Sequence, residues 1–198
     1  MMDTQTCIVI PVYKPFNKLD NNEQVAWKQS IRVLGNRPFY LACPSTLAIA
    51  DYIAAASAQG VNCQAMVFDP TYFASIDGYN RLMLSRQFFQ RFTRHEYMLL
   101  YQLDAFVFRD ELSQWSARGY SYVGAPWFEG YVPIDDSTGL WAVGNGGFAL
   151  RRIADCLRVL NTFAVASAVG GSNRRPLAQA LAWILPAGVF SCSLPDYW

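Results

Sequence analysis

The sequence predicts an α/β sandwich in which helices flank a mostly parallel sheet. Short apolar runs alternate along the chain with segments of helical periodicity, and polar loops separate the two. The 198 residues are 53% hydrophobic, which suits one compact domain with a core of ordinary size. We therefore expect a single domain that spans residues 1–198.

The first half of the chain predicts three strands, each followed by a helix or a loop. The apolar runs that predict them are Cys7–Val12, Pro38–Cys43 and Cys63–Phe68. Asn22–Leu34 carries apolar residues at helical spacing and is followed by Gly35, so a helix is expected to end there. The Ala-rich segment Ser45–Gln59 predicts a second helix, which ends before Gly60.

The alternation continues in the second half of the chain. A loop is expected after Asp69 and Pro70, and a longer helix over Gly78–Phe92. Beyond it the sequence predicts a strand within residues 97–108, a short helix at Glu111–Arg118, a strand at Ser121–Gly124, a loop at 125–138 and a helix at Arg152–Phe163. The last stretch, Ala164–Trp198, has no clear pattern.

Charge and composition exclude several classes of partner. The 16 basic and 15 acidic residues give a formal charge of +1 without a block of like charges, so no nucleic-acid partner is expected. The five cysteines are scattered and include no C-x-x-C pair, which favours reduced thiols in the cytosol over a zinc or redox site. The first residues lack the basic and apolar regions of a signal peptide, so neither secretion nor a transmembrane start is expected.

One apolar segment lies near the end of the sequence. Leu177–Phe190 is too short to span a bilayer, and Gln179 and Pro186 interrupt it. We interpret it as a core or interface segment, with peripheral contact to a membrane as the alternative.

A carboxylate interrupts the apolar run YMLLYQLDAFVF, residues 97–108. Burying a carboxylate without a partner costs several kcal/mol, so Asp104 should meet a cation or hydrogen-bond donors. Ligands of open α/β sheets bind beyond the carboxyl ends of the strands, where Asp104 is expected. If the strand stays extended, Gln102 lies on the same face as Asp104. The alternative is a structural ion pair of Asp104 with Arg86 or Arg91.

Several familiar catalytic and cofactor motifs are absent. GNGGF at residues 144–148 does not match G-x-G-x-x-G, and no P-loop is present. His95 is the only histidine, which excludes a zinc site built on two histidines, and its polar neighbours predict a surface position. The GNGGF glycines predict either a tight turn or a close approach to a ligand, with Asn145 available to hydroxyl groups of that ligand. The flanking aromatic residues could cover the apolar face of a ligand or belong to the core: Trp127, Tyr131 and Trp141.

Five segments together resemble a known family. IPVYKP, GYNRLMLS, YQLDAFVF, GYSYVGAPW and VGNGGFALRR occur in this order between Cys7 and Leu160. They resemble a bacterial glycosyltransferase-like family that is catalogued as a domain of unknown function and placed with GT-A-type sugar-nucleotide transferases. The resemblance implies a GT-A-like, nucleotide-binding α/β/α sandwich. It also implies a donor-binding half of about residues 1–110, an acceptor-side half of about 111–165 and an atypical tail at 166–198.

The resemblance implies a divalent cation at Asp104. In GT-A enzymes an Asp-x-Asp element holds Mn²⁺ or Mg²⁺, which bridges the donor diphosphate and offsets charge on the departing nucleotide. Asp104 takes the place of the second acid, as metal ligand and catalytic residue. Gln102 stands in place of the first acid, and its neutral oxygen binds metal less strongly, so the ion is held mainly by Asp104 and the diphosphate or the site works without one.

Further donor-binding residues follow from the same resemblance. Those of the nucleobase wall are Pro11, Val12 and Tyr13. Asp69 is expected to contact base or ribose, and the remaining contacts are expected from Asn80, Arg81, Gln102, Asn145, Gly146 and Gly147. Simpler interpretations exist for three of them: Tyr13 as an aromatic cover of the core, Asp69 as a turn starter and Arg81 as a surface arginine.

A catalytic base is the least evident part of the predicted site. Inverting GT-A enzymes use an Asp or Glu near the acceptor hydroxyl. We assign this role to Asp136; the other candidates are Glu129, Asp135, Asp155 and Asp196. The sequence thus predicts a cytoplasmic glycosyltransferase that moves a sugar from a nucleotide-sugar donor to a glycan or lipid-linked acceptor in cell-surface polysaccharide assembly. The alternative is a catalytically inactive nucleotide-sugar or glycan-binding module of the same fold.

Overall fold

A computed structural model describes residues 5–128 and 140–169 of the chain. Within these ranges one sheet has the strand order β3-β2-β1-β4-β6-β5. The strands are β1 Thr6–Pro11, β2 Phe39–Pro44, β3 Cys63–Phe68, β4 Tyr97–Tyr101, β5 Tyr122–Phe128 and β6 Leu140–Arg152. Strands β1 to β4 are parallel to one another, and β6 runs antiparallel to both of its neighbours. The predicted mostly parallel sheet is therefore confirmed.

Helices cover both faces of this sheet. They are α1 Asn21–Leu34, α2 Ala50–Ser57, α3 Ile76–Met83, α4 Arg86–Gln90, α5 Leu112–Ala117 and α6 Ile153–Val169, with 3₁₀ turns at Phe16–Lys18 and Pro70–Phe73. One core packs α1, α2 and α5 against the sheet through residues such as Trp27, Tyr52 and Leu112. The other packs α3, α4 and α6 through Leu82, Phe88 and Ile153. The architecture is an α/β/α sandwich with a mostly parallel central sheet, as the sequence predicted.

Helix α1 shows why its predicted bounds were nearly correct. Asp20 precedes it and accepts a hydrogen bond from the Glu23 backbone N–H at 2.9 Å, while the Glu23 carboxylate accepts one from the Asp20 N–H at 2.8 Å. This reciprocal capping box satisfies two of the free amides at the start of the helix. The helix ends at Leu34, directly before Gly35, as expected.

Several predicted elements are shorter or divided. The second helix covers only Ala50–Ser57 of the predicted Ser45–Gln59. The helix predicted at Gly78–Phe92 is two helices, because the Ser85 hydroxyl accepts from the Phe88 N–H at 3.1 Å and starts α4. The apolar run at 97–108 is a strand only as far as Tyr101.

Two other predictions were wrong about location. GNGGF is not a tight turn, because residues 144–148 lie inside strand β6. His95 is not a surface residue: it is 7% exposed, and its Nε2 lies 3.1 Å from the Tyr40 hydroxyl. The hydrogen bond with Tyr40 offsets the cost of burying the imidazole ring. The polar sequence neighbours of His95 do not indicate this partner. His95 precedes β4, so it lies on the side of the amino ends of the parallel strands, opposite their carboxyl ends.

Four cysteines of the described residues are free thiols. They are Cys7, Cys43, Cys63 and Cys156, and burial raises the pKa of each, to about 12 for Cys63 and about 11 for Cys156. Such thiols are poor nucleophiles at neutral pH. Cys192 lies outside the described residues. Among the described helices, none combines the length and hydropathy that a membrane crossing requires.

A buried ion pair ties the start of α5 to the turn before β2. Arg37 is 1% exposed and pairs with Asp110, and it also donates to the Ser113 hydroxyl at 3.0 Å. The second oxygen of Asp110 accepts from the Leu112 N–H at 3.1 Å. One carboxylate therefore neutralises a buried guanidinium and fixes the beginning of a helix.

We expect Asp110→Ala to lower the free energy of unfolding by about 3 kcal/mol, because it leaves a buried guanidinium without its carboxylate. Chemical denaturation monitored by circular dichroism measures this change. Glu111→Ala is the matched control, since Glu111 pairs with an arginine that is 79% exposed, and we expect a loss below about 1 kcal/mol. Similar losses for the two variants would contradict the importance of the buried pair.

Candidate functional site

A pocket of about 620 Å³ opens where strands β1 and β4 end. Strand β1 has β2 on one side and β4 on the other. Strands β2 and β3 are therefore added to one side of β1, and β4 is added to its other side. Such a topological switch point is where open α/β sheets bind ligands. The lining residues are Pro11, Val12, Tyr13, Lys14, Leu19, Glu23, Tyr52, Phe73, Ala74, Ser75, Ile76, Tyr79, Gln102, Leu103 and Asp104.

The segment after β1 forms one wall of the pocket. The Val12 backbone N–H donates to the Ala42 carbonyl at 2.9 Å, and its side chain is buried, so the chain leaves the sheet in a fixed direction. Tyr13 is 46% exposed and lines the pocket rather than joining the buried core. The structure therefore brings the three predicted residues of the nucleobase wall, Pro11, Val12 and Tyr13, to one pocket.

A lysine and a glutamate in the pocket were missed by the sequence analysis. The Lys14 ammonium lies 2.7 Å from the Glu23 carboxylate, and the Tyr52 hydroxyl donates to the Lys14 carbonyl at 3.0 Å. Burial lowers the pKa of Lys14, but the hydrogen bond and charge of Glu23 outweigh this effect and raise it. Lys14 is therefore charged at neutral pH, and its charge is offset by Glu23.

Asp104 lines the pocket, but it is exposed rather than buried. Strand β4 ends at Tyr101, and the Ala105 N–H donates to the Gln102 carbonyl at 3.0 Å, which closes a turn. This turn directs Leu103 into the core and leaves Asp104 in solvent. The expectation of a buried carboxylate was wrong because the strand does not continue through it.

The alternative of a structural ion pair for Asp104 is also wrong. Among the described residues, neither Arg86 nor Arg91 forms an ion pair with it, and the Arg91 guanidinium lies 5.1 Å from the centre of the Phe68 ring. The carboxylate is therefore available to a ligand in the pocket. No desolvation cost needs to be offset, because Asp104 keeps contact with water.

Gln102 joins the pocket to strand β6. Its backbone N–H donates to the Gly147 carbonyl at 2.7 Å, and its side-chain amide donates to the Tyr79 hydroxyl at 2.9 Å. A Cβ atom on Gly147 would lie only 2.7 Å from the Gln102 Oε1. The missing side chain at position 147 therefore leaves the space that the glutamine amide occupies.

The GNGGF residues are not among the described residues that line the pocket. The Asn145 side-chain oxygen accepts from the Gly147 N–H at 3.1 Å, and its carbonyl accepts from the Tyr122 hydroxyl at 2.8 Å. A Cβ atom on Gly146 would lie 2.9 Å from Nη2 of Arg151. The backbone of Gly146 and Gly147 lies close to side chains of the protein, and its predicted approach to a ligand stays a prediction.

Three other predicted residues lie outside the pocket lining. Asp69 is exposed and accepts from the N–H and hydroxyl of Thr71, which lowers its pKa, so it starts a 3₁₀ turn. Asn80 and Arg81 are exposed near the end of α3. The helix begins at Ile76, earlier than expected, and the pocket is lined by Ser75, Ile76 and Tyr79 instead.

The acidic residues that could hold a metal or act as a base are few in the described part of the chain. No group of three or more His, Cys, Asp or Glu residues is suitably placed for an ion within 5–128 and 140–169. The exposed Asp104 carboxylate fits a hard cation whose other ligands are phosphate oxygens and water, as Mg²⁺ commonly has. The Gln102 amide is already engaged with Tyr79.

Most candidate bases lie outside the described residues: Glu129, Asp135, Asp136 and Asp196. Tyr131 and the side chains of Trp127 and Trp141 are likewise not described. Asp155 is described and is 8% exposed, where it accepts from the Ser121 hydroxyl at 2.6 Å and pairs with Arg158 at 3.0 Å. Asp155 is therefore engaged in local structure, away from the pocket lining.

A family model described as a protein of unknown function, DUF5672, matches residues 62–181, more than half of the chain. A search of curated proteins finds no match. Similar solved structures include the S. cerevisiae mannosyltransferase Ktr4p, at 8% identity and a TM-score of 0.49, over 81% of this chain and 60% of that one. Mouse xyloside xylosyltransferase 1 is 12% identical, with a TM-score of 0.49 over 89% and 74%.

S. aureus TarS 1-349, in complex with UDP-GlcNAc, is 10% identical, with a TM-score of 0.43 over 82% of this chain and 48% of that one. This chain covers only 60% of the length of Ktr4p, which is less than two thirds. At these identities and TM-scores, the ligands and reactions named for the three proteins describe those proteins and are not transferred to this chain.

The start of α3, which lines the pocket, depends on a glycine. A Cβ atom on Gly78 would lie 2.5 Å from the Thr71 carbonyl oxygen, a backbone atom that cannot easily move aside. Alanine normally stabilises a helix interior by about 1 kcal/mol relative to glycine. We expect Gly78→Ala to lower the free energy of unfolding instead, by about 1–2 kcal/mol, because overpacking outweighs this gain.

Urea unfolding measures this difference. Asn80→Ala, an exposed change in the same helix, is the control, and we expect it to be neutral or stabilising by about 0.5 kcal/mol. A gain in stability for Gly78→Ala would show that helix α3 is not held against the preceding turn.

Proposed function

Starting from the fact that this chain belongs to the DUF5672 family of proteins of unknown function, we propose that it is a glycosyltransferase that uses a nucleotide-sugar donor. The observation that carries the proposal is the pocket at the switch point between β1 and β4, with the exposed Asp104 at its edge. Its volume of about 620 Å³ suits a ligand of nucleotide-sugar size. The order of motifs in the sequence supports the same class of reaction.

The nucleoside is proposed to lie along the segment that follows β1. Pro11, Val12 and the half-exposed ring of Tyr13 offer an apolar wall and a face for stacking. The diphosphate is then directed toward the end of β4, where Gln102 and Asp104 line the pocket. Contacts from Asp69, Asn80, Arg81, Asn145, Gly146 and Gly147 stay predictions that would require the ligand to extend beyond the pocket lining.

The charges of the pocket support a cation-assisted mode of donor binding. Its described lining has one lysine and two carboxylates, and Lys14 is already paired with Glu23. A diphosphate beside Asp104 would therefore meet a negative field unless a cation accompanied it. We propose Mn²⁺ or Mg²⁺ held by Asp104 and phosphate oxygens; when bound, the ion would offset charge on the departing nucleotide.

The acceptor half of the reaction is assigned to the region after β4. We propose a glycan or lipid-linked acceptor, Asp136 as the base that removes its proton, and a cytoplasmic role in cell-surface polysaccharide assembly. Residues of about 1–110 would then bind the donor and those of about 111–165 would contact the acceptor.

One observation favours a second candidate, a catalytically inactive module that binds nucleotide-sugars or glycans. The described carboxylates of the pocket are Asp104 and Glu23, and Glu23 is engaged by Lys14 and by the Asp20 N–H. Neither is therefore free to act as a base in addition to holding a cation.

An assay of nucleotide release distinguishes the two candidates. The protein is incubated with UDP-, GDP- and CMP-sugars with and without Mn²⁺, while donor binding is measured by calorimetry. For a transferase we expect release that Mn²⁺ stimulates. Binding without release would favour the inactive module, and the absence of both would contradict the proposed function.

We expect Asp104→Asn to reduce affinity for the donor by about tenfold or more in the presence of Mn²⁺, because the amide binds a cation less strongly than a carboxylate. Binding without Mn²⁺ should change little. Asp51→Asn is the control, since Asp51 is an exposed acid outside the pocket lining. Equal effects of the two substitutions would exclude Asp104 as the cation ligand.

A further inference from the structure

The hydrogen bond between Gln102 and Tyr79 has a defined polarity. The Gln102 Nε2 carries only donors, so the Tyr79 oxygen accepts in this bond, over 2.9 Å. A phenol has one proton of its own, and the bond from Gln102 leaves that proton to be donated elsewhere. No other described residue forms a side-chain hydrogen bond with the Tyr79 hydroxyl.

The pocket is where this proton can find an acceptor. Tyr79 and Gln102 both line it, beside Asp104. Burial raises the pKa of Tyr79, so the hydroxyl is protonated at neutral pH and acts as a donor. Tyr79 is therefore a lining residue of the pocket that carries a neutral hydrogen-bond donor, with its oxygen bonded to Gln102.

A phosphate group at this end of the pocket would need hydrogen-bond donors for its oxygens. The pocket-lining lysine, Lys14, is paired with Glu23, and Asp104 offers only acceptor oxygens. A diphosphate placed there would need neutral donors to complete its hydrogen bonds. The Tyr79 hydroxyl is such a donor, and its position is held by an amide rather than by a charge.

We propose that Tyr79 binds the ligand by donating its hydroxyl proton to a phosphate oxygen, and that Gln102 is a positioning residue that orients this hydroxyl. The inference rests on the proposed function, because it assumes a nucleoside diphosphate group in the pocket. It assigns to Gln102 a role other than metal binding. The glutamine is then a functional replacement for the first acid, and Gly147 supplies the space for its amide.

The test compares nucleoside diphosphates with nucleosides that lack phosphate. UDP, uridine, GDP and guanosine are titrated into the full chain, with and without Mn²⁺, by calorimetry or ligand-observed NMR. Tyr79→Phe removes the donor and keeps the ring. We expect it to weaken binding of the diphosphate by at least about tenfold, as for loss of one hydrogen bond to a charged group, and to leave nucleoside binding unchanged.

A double-mutant cycle tests the positioning role of Gln102. Gln102→Leu should lose part of the affinity for the diphosphate, because the hydroxyl is no longer oriented. In the Tyr79→Phe background the same substitution should cause no further loss, since its effect acts through the hydroxyl. Tyr120→Phe is the matched control, because Tyr120 is 52% exposed and outside the pocket lining, and it should bind as the wild type does.

Three results would overturn the inference. An equal loss of nucleoside and diphosphate affinity in Tyr79→Phe would show that the ring only shapes the pocket. Unchanged diphosphate affinity would exclude Tyr79 as a donor while leaving the proposed function intact. Additive losses in the cycle would exclude action of Gln102 through Tyr79. A wild-type protein that binds neither UDP nor GDP would instead refute the proposed function, and this inference with it.

Discussion

The pocket depends on how strand β4 ends. The Gln102 N–H donates to the Gly147 carbonyl at 2.7 Å, and the Gln102 carbonyl accepts from the Ala105 N–H three residues later at 3.0 Å. Between these two bonds the chain turns out of the sheet, so Leu103 enters the core while Asp104 faces solvent. A carboxylate at this turn keeps its hydration and can exchange water for a ligand. The same carboxylate in a continued strand would have required a buried partner.

The polar groups of the pocket are already partly satisfied by one another, which limits what a ligand can use. Lys14 and Glu23 neutralise each other, and Glu23 also completes the capping box of α1. Asp104 is therefore the carboxylate that is available to a cation in the described pocket, and the Tyr79 hydroxyl is a neutral donor. This combination suits an anionic ligand that arrives with a cation better than one that relies on protein cations alone.

Local patterns in the sequence predicted the sheet and its edge, but not the exposure of Asp104. Strand β3 was predicted at its observed bounds, Cys63–Phe68, and α1 to within one residue, because a short, mostly apolar run and a glycine after a helical pattern report on local structure. The apolar run AFVF after Asp104 was interpreted as a continuation of the strand. In the structure Val107 is buried but Phe108 is 83% exposed, so this run is not the interior of the sheet. Hydrophobicity alone cannot distinguish a buried strand from a loop that carries exposed rings.

The residues that sequence analysis missed are defined by contacts between segments far apart in the chain. Nothing local to Tyr79 indicates that an amide 23 residues later donates to its hydroxyl. Likewise, GNGGF resembles a turn or a ligand loop, whereas in the structure Gly147 leaves space for the Gln102 side chain, whose Oε1 would lie 2.7 Å from a Cβ atom at position 147. Three motifs that were interpreted separately, GYNR, YQLD and GNGGF, thus meet at one glutamine. A neutral residue in place of an acid is therefore not evidence of lost function by itself, because its amide can do what a carboxylate cannot: donate a hydrogen bond and leave the tyrosine proton for a ligand.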